Sequence, residues 1–151
     1  MPPAETGLAG LATALRREAE ADPERERCGL VIREPSGSLR LVPVANVAPW
    51  PAAAFELDPA ALLRALRAQD ATGERLVAVY HAHPSGGATL SPRDLQALVV
   101  EGQPLLPGVE QLVIALQDGR AVAIRAHAWD GAAFVGRELW RAAPSAGAGS
   151  T

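Results

Sequence analysis

The chain has a single cysteine, Cys28, and no lysine among its 151 residues. One cysteine excludes an intramolecular disulfide and a cysteine-rich zinc module. Because all 14 basic residues are arginine, the chain has no lysine for a Schiff base, for phosphate binding or for side-chain conjugation. The formal net charge of −3 and the pI near 5.6 lack the basic character of nucleic-acid-binding proteins. We therefore expect no nucleic-acid partner.

The sequence also lacks long apolar runs and a targeting signal. No run approaches the roughly 20 apolar residues that a membrane-spanning helix needs. The N-terminal stretch MPPAETGLAGL has neither the basic start nor the long apolar segment of a secretory signal peptide. We therefore expect a cytoplasmic protein without a membrane partner.

The composition indicates one globular domain. The chain is 48% hydrophobic and 21% charged, and it is long enough to bury a substantial core. No internal repeat or second domain is visible. Residues 1–141 are predicted to form the domain, and the small, polar segment 142–151 is predicted to be a disordered tail.

Hydrophobic periodicity predicts helices and strands in alternation. Amphipathic spacing indicates helices over 6–21, over 59–71 and within 91–102, with Thr6, Asp58 and Ser91 as N-caps. Shorter apolar or alternating runs indicate strands within 28–33, 39–47, 76–83, 111–119, 120–131 and 132–140. The first two strands are predicted to form a hairpin, and the last three an antiparallel meander. The expected fold is a single mixed α/β domain around one central sheet.

The stretch HAHPSGGATLSPRD, residues 81–94, holds two of the three histidines in the chain. Side chains two residues apart on a strand share a face, so His81 and His83 point the same way. Asp94 follows in the first turn of the next helix, and the glycine-containing loop between them allows that turn to fold back over the strand end. Two histidines and one aspartate with a fourth position free for water are typical of a catalytic zinc site. The alternative interpretation is a polar surface pair beside an ordinary helix start capped by Ser91.

The spacing of these residues resembles the JAMM (MPN+) metalloprotease motif, His-x-His, seven residues, Ser, two residues, Asp. His81, His83, Ser91 and Asp94 match it without a gap. The motif also requires an upstream glutamate, which small bacterial members carry two residues before a Cys-Gly pair. Glu26 holds that place here. The resemblance extends over most of the chain, including ERCGLVI, NVAPWPAAAFELDP, VAVYHAHPSG, SPRDLQAL, QLVIALQDG and WDG.

The resemblance implies a central, largely antiparallel curved sheet flanked by helices, as in the cytidine-deaminase-like JAMM/MPN fold. It implies zinc held by His81, His83 and Asp94. Glu26 would be the general base and later the acid, and Ser91 would donate a hydrogen bond to the oxyanion. Glu24 is a second candidate for the base, since only the Cys-Gly register prefers Glu26.

One position departs from the motif, because Ala82 stands where the family has Ser or Thr. On a strand Ala82 faces away from the metal, so we expect its change to affect packing or a supporting hydrogen bond rather than metal ligation. Three other residues have plain structural interpretations: His127 as exposed or structural, Cys28 as a small core residue, and Trp50 as cover for a core edge. Trp50 is also a candidate for lining a substrate groove.

The function implied by the resemblance is that of a zinc isopeptidase or peptidase. Its substrates would be ubiquitin-like or sulfur-carrier β-grasp proteins that end in Gly-Gly, and a homodimer is left open. The alternative is a non-catalytic MPN-type interaction module, which would lack the metal ligands. A zinc deaminase is excluded, because its Pro-Cys-x-x-Cys motif needs two cysteines.

Overall fold

The structure is a computed structural model that describes residues 7–144. The predicted N-cap Thr6 and residues 145–151 of the predicted tail lie outside the described residues. The helices within this range are α1 (Ala12–Glu20), which follows a 3-10 turn at Leu8–Leu11, α2 (Pro59–Thr72) and α3 (Pro92–Leu98). The strands are β1 (Cys28–Arg33), β2 (Leu39–Val44), β3 (Arg75–His83), β4 (Val99–Val100), β5 (Gln103–Pro104), β6 (Glu110–Gln117), β7 (Arg120–Trp129) and β8 (Phe134–Arg141).

A mixed sheet forms the centre of the fold, with strand order β2-β1-β3-β6-β7-β8. Within it β3 and β6 run parallel, and every other neighbouring pair is antiparallel. The parallel pair is joined through α3 and the short β4–β5 sheet, as a parallel connection requires a crossover. The predicted hairpin, the C-terminal meander and the largely antiparallel sheet are confirmed.

Helices cover both faces of the sheet. Alternation along β3 sends Tyr80 and Ala82 to the face on which Leu15 of α1 packs. Val79 points to the opposite face, where Leu62 of α2 contributes to a second apolar cluster. Residues two and four positions beyond Val79 share its face, so the histidines at the end of β3 lie on the α2 side of the sheet.

The pairing of β1 with β3 brings the arm that precedes β1 to the histidines. Gly29 lies opposite Tyr80 in this ladder, and Cys28 lies opposite His81. A Cβ atom at Gly29 would lie only 2.4 Å from the Tyr80 hydroxyl oxygen, so glycine is needed for this close approach. The ladder thereby places the residues just before Cys28 beside the end of β3.

Three predicted elements are shorter in the structure. The α-helix predicted over 6–21 spans only Ala12–Glu20, because Leu8–Leu11 form a 3-10 turn. The helix predicted within 91–102 ends at Leu98, because Val99 and Val100 pair with β5 instead of continuing the helix. The strand predicted over 39–47 ends at Val44, and Asn46 forms an isolated bridge with Leu57. The ends of α3 and β2 are set by backbone pairing with residues outside the segment itself, Gln103–Pro104 in the first case and Leu57 in the second, which periodicity within one segment does not report.

Within residues 7–144 no helix is both long and apolar enough to cross a membrane.

Candidate metal centre

Three segments bring four titratable side chains to one end of the sheet. His81 and His83 come from the end of β3, Asp94 from the first turn of α3, and Glu26 from the arm before β1. One nitrogen or oxygen atom of each lies within 4.8 Å of the others. All four residues are buried. The structure therefore brings together the proposed ligands and the proposed base, and this group could hold a metal ion.

The histidine and aspartate donor atoms form a nearly equilateral triangle. His81 Nε2 lies 3.0 Å from His83 Nε2 and 3.2 Å from Asp94 Oδ2, and His83 Nε2 lies 3.1 Å from the same Oδ2. Donors about 2.0–2.1 Å from a tetrahedral zinc ion lie roughly 3.3–3.4 Å apart. The donor types and their separations therefore fit a tetrahedral zinc site with three protein ligands.

Different contacts fix the two histidine rings. His83 Nδ1 donates to the Gly87 carbonyl at 2.8 Å, which leaves Nε2 as the nitrogen that faces the site. Such a bond to the second ring nitrogen commonly orients a metal-binding histidine. The His81 ring instead stacks on Phe55, with ring centroids 4.0 Å apart and an interplanar angle of 17°. Among residues 7–144, His81 Nδ1 has no hydrogen-bond partner.

The N-terminus of α3 holds the Asp94 carboxylate in place. The Asp94 N–H donates to Ser91 Oγ at 3.0 Å, and the Ser91 N–H donates to Asp94 Oδ2 at 2.9 Å. This reciprocal pair is a capping box. Ser91 therefore supports Asp94 through its backbone and caps the helix through its side chain. Among residues 7–144 the Ser91 hydroxyl donates to no protein group, so its proton can serve another acceptor.

Burial and hydrogen bonding shift the pKa values of the site in different directions. Burial raises the pKa of Glu26 to about 7, against the opposing effect of nearby His83. Burial works to raise the pKa of Asp94, but hydrogen bonds with His81 and His83 outweigh it and keep that pKa well below its usual range. Burial lowers the pKa of His81. It also works against protonation of His83, but bonds to Asp94 and Gly87 raise that pKa overall.

A cleft of about 370 Å³ opens beside this group. Glu26, His83 and Ser91 line it, and small residues form much of the remaining wall, including Ala52, Ala53, Gly86 and Gly87. A chain segment without bulky side chains can therefore approach the buried polar groups.

The other residues singled out in the sequence do not belong to this group of four. Glu24 is exposed, in contrast to Glu26. His127 is buried, not exposed, and its Nδ1 donates to the Gln111 carbonyl at 3.0 Å, in keeping with its structural interpretation. Trp50 is 74% exposed and is not among the cleft residues. Cys28 is buried, as expected for a core residue.

Two further residues matter to the site and were not predicted to do so. Phe55 supplies the stacking partner of His81. The Asn46 side chain hydrogen-bonds to the Glu26 carbonyl at 2.8 Å. Both belong to the sequence NVAPWPAAAFELDP, which matched the motif family as a stretch but gave no sign of these contacts. Ala82 is fully buried on the α1 face, so it does face away from the site.

Comparison with known proteins identifies the family. The family model for prokaryotic homologs of the JAB domain (Prok-JAB) matches residues 8–133. The chain belongs to this family. The matched range contains β3, α3 and the arm before β1, so it includes all four residues of the buried group.

Two curated relatives share sequence with this JAB domain. A Haloferax volcanii protein named Desampylase is 33% identical over 126 residues, which is 82% of this chain and 82% of that protein. A Thermus thermophilus protein named "Probable TtuB-protein conjugate cleaving protease" is 49% identical over 57 residues. That second match covers 38% of this chain and 38% of the relative.

Solved structures support the fold. The solution structure of protein DSY2949 from Desulfitobacterium hafniense has a TM-score of 0.63 at 21% identity and covers 85% of this chain and 86% of its own. A solution structure of a Salinibacter ruber protein has a TM-score of 0.56 at 25% identity and covers 92% of both chains. The α/β architecture of this JAB domain is thus shared with experimentally determined structures.

Proposed function

We propose that this JAB domain is a zinc-dependent hydrolase that cleaves peptide or isopeptide bonds next to the C-terminus of ubiquitin-like or sulfur-carrier proteins. The observation that carries the proposal is the triangle of His81, His83 and Asp94 donor atoms with the Glu26 carboxyl beside it. In this proposal the first three residues hold zinc, and Glu26 and Ser91 take part in catalysis.

Zinc bound there would lower the pKa of a water molecule and polarise the scissile carbonyl. The Glu26 carboxylate accepts a proton from the attacking water and later delivers it to the leaving amine. Its raised pKa, about 7, suits a group that must both gain and lose a proton near neutral pH. Among residues 7–144, the buried Glu26 Oε1 has no hydrogen-bond partner, so no protein group competes for that atom.

The Ser91 hydroxyl is the proposed hydrogen-bond donor to the oxyanion. Its oxygen accepts from the Asp94 N–H at 3.0 Å, and its hydroxyl proton can be donated into the cleft that it lines. A hydrogen bond to the oxyanion that forms from the scissile carbonyl stabilises the transition state, and removing one such donor typically costs about 100- to 1000-fold in kcat.

The substrate class is inferred from the relatives and from the cleft. The names of the two curated relatives refer to cleavage of TtuB-protein conjugates and to desampylation. The alanine and glycine walls of the cleft leave room for an extended Gly-Gly tail, whose backbone needs no side-chain pocket. We propose such a tail as the segment that enters the site. A cytoplasmic location and a homodimer stay predictions.

The decisive experiment measures metal content and cleavage on the same preparations. Protein purified without chelator should contain near one zinc per chain by elemental mass spectrometry. The zinc-loaded protein should release a reporter protein joined through a lysine isopeptide bond to a ubiquitin-like protein ending in Gly-Gly. An Asp94→Ala variant should lose both zinc and cleavage.

Two results would count against the proposal in different ways. No bound metal, even after zinc is supplied, would show that the ligand set does not assemble and would favour a non-catalytic MPN-type interaction module. Bound zinc without cleavage of this conjugate or of a linear Gly-Gly fusion would overturn the substrate class and leave the metal site standing.

A further inference from the structure

The proposed base lies outside every helix and strand of the described chain. Glu26 precedes β1 by two residues, so no sheet ladder holds its backbone. Its N–H donates to the Pro51 carbonyl at 2.6 Å, and its own carbonyl accepts from Asn46 Nδ2 at 2.8 Å. The central sheet reaches only as far as the next residue, where the Ala82 N–H donates to the Arg27 carbonyl at 2.9 Å. The backbone bonds of Glu26 itself are made with the segment that follows β2.

All the hydrogen-bonding positions of the Asn46 carboxamide are occupied in this arrangement. Its NH₂ group donates to the Glu26 carbonyl at 2.8 Å and to the Ala54 carbonyl at 3.0 Å. Its oxygen accepts from the Ala48 and Glu56 N–H groups, each at 3.0 Å. Two donors and two acceptor positions are the whole capacity of an asparagine side chain. Both carbonyls face the nitrogen and both N–H groups face the oxygen, so these partners also fix the orientation of the amide.

The segment held by Asn46 also contacts the metal centre. Residues 48–56, hereafter the cleft loop, contribute Ala52 and Ala53 to the cleft wall. The loop also carries Phe55, whose ring stacks on His81. A single side chain thus links the backbone of the base to the loop that covers a proposed ligand.

We propose that Asn46 is a positioning residue, which holds Glu26 at the distance that proton transfer requires. The inference rests on the proposed function, and it assigns Asn46 no contact with substrate or metal. Catalysis by a proton acceptor is sensitive to its position, and a displacement of about 1 Å can cost on the order of 100-fold in rate.

The competing explanation is that Asn46 only stabilises the cleft loop. The two roles can be separated, because the loop is also held by bonds that do not involve the Asn46 side chain. The base of the cleft loop has backbone bonds of its own, from Val47 N–H to the Glu56 carbonyl at 2.9 Å and from Asp58 N–H to the Ala45 carbonyl at 3.3 Å. Asn46→Asp would keep the acceptor for the Ala48 and Glu56 N–H groups. It would lose both donors, including the one that holds Glu26.

The test compares Asn46→Asp and Asn46→Ala with Gln69→Ala. The Gln69 side chain also bonds a backbone group, accepting from the Leu76 N–H at 2.8 Å, but it joins α2 to β3 away from the cleft. Each variant is assayed for zinc content, for kcat and KM on the isopeptide conjugate, and for amide hydrogen exchange by mass spectrometry. Gln69→Ala serves as the control for a lost carboxamide–backbone bond.

We expect both Asn46 variants to bind zinc and to lower kcat by about 10- to 100-fold, with KM unchanged in Asn46→Asp. Exchange should increase at the Glu26 amide in both, and Gln69→Ala should show neither effect. Recovery of wild-type kcat in Asn46→Asp would assign Asn46 to loop structure alone. Unchanged exchange at Glu26 would overturn the positioning role even if the substrate class proves wrong, because this readout needs no turnover.

Discussion

Two glutamates lie between α1 and β1; Glu26 lines the cleft, and Glu24 is exposed and is not among the cleft residues. We expect Glu26→Gln to keep its zinc and to lose at least about 100-fold in kcat, because general acid–base catalysis typically contributes 100- to 10,000-fold. Glu24→Gln is the matched control and should turn over like the wild type. Zinc analysis and single-substrate kinetics check both variants. A larger loss in Glu24→Gln would move the base to that residue.

Cys28 is adjacent to the arm that carries the proposed base, and its environment predicts low reactivity. Its side chain is 1% exposed, its thiol donates to the Val44 carbonyl at 3.6 Å, and burial raises its pKa to about 12. The thiolate is the nucleophile in alkylation, so we expect no reaction with iodoacetamide at mildly alkaline pH while the protein is folded. Mass spectrometry should show full labelling only in denaturant. Labelling of the folded protein at the denatured rate would contradict the buried placement.

At the scale of elements, α2 and α3 begin in the same way and differ in what they support. Ser91 and Asp58 are both N-caps followed by proline, and the Asp58 side chain accepts from the Ala60 N–H at 3.1 Å. Replacing either by alanine should reduce the free energy of unfolding by about 1 kcal/mol. Only Ser91→Ala should also lower kcat, by about 100- to 1000-fold, if its hydroxyl stabilises the oxyanion.

Chemical denaturation and steady-state kinetics on Ser91→Ala and Asp58→Ala separate these contributions. Equal stability losses with unequal kcat would assign Ser91 a role in the reaction beyond capping α3. Wild-type kcat in Ser91→Ala would leave the residue as a helix cap alone.

The elements that could be predicted from sequence are those with local causes. The Asp58-Pro59 start of α2 and the alternation that puts His81 and His83 on one face both follow from neighbours in sequence. The placement of Asp94 beside the two histidines was predicted from its spacing in the motif. The ring orientation of His83, by contrast, depends on the path of its loop to the Gly87 carbonyl.

Long-range contacts account for what was missed. Asn46 reaches the Glu26 carbonyl across 20 residues of sequence, and Phe55 reaches His81 only because the cleft loop folds over the end of β3. Neither residue is unusual in its own segment, so periodicity and propensity carry no signal for these contacts. The end of α3 at Leu98 has a more local cause, because Val99 and Val100 pair with Pro104 and Gln103 just after them.

At the scale of the whole molecule, apolar clusters on both faces of the sheet hold the fold together. Tyr80 and Leu15 pack on the α1 face of the sheet, and Val79 packs with Leu62 on the other. The candidate metal centre adjoins the second cluster, because Phe55 packs against that cluster and stacks on His81. The donor triangle is also joined without metal, through the bonds of Asp94 with both histidines. We therefore expect the metal-free domain to remain folded.

Zinc should nevertheless raise the melting temperature, because a ligand that binds only the folded state stabilises it. At a free concentration about 100 times its Kd, it would add roughly 2.7 kcal/mol. The added stability should shrink as pH falls. Zinc needs neutral imidazoles, and His83, whose pKa is raised, takes up a proton before His81, whose pKa is lowered.

Thermal unfolding followed by circular dichroism, with zinc or with EDTA, checks this at neutral and at acidic pH. The expected result is a zinc-dependent increase in Tm that is largest at neutral pH, with a folded and cooperatively melting protein in EDTA. His83→Ala removes one donor of the triangle, so its Tm should respond little to zinc. An equal response in His83→Ala would place the stabilising metal elsewhere on the chain. A Tm indifferent to zinc in the wild type would mean that the triangle does not select zinc in the folded state.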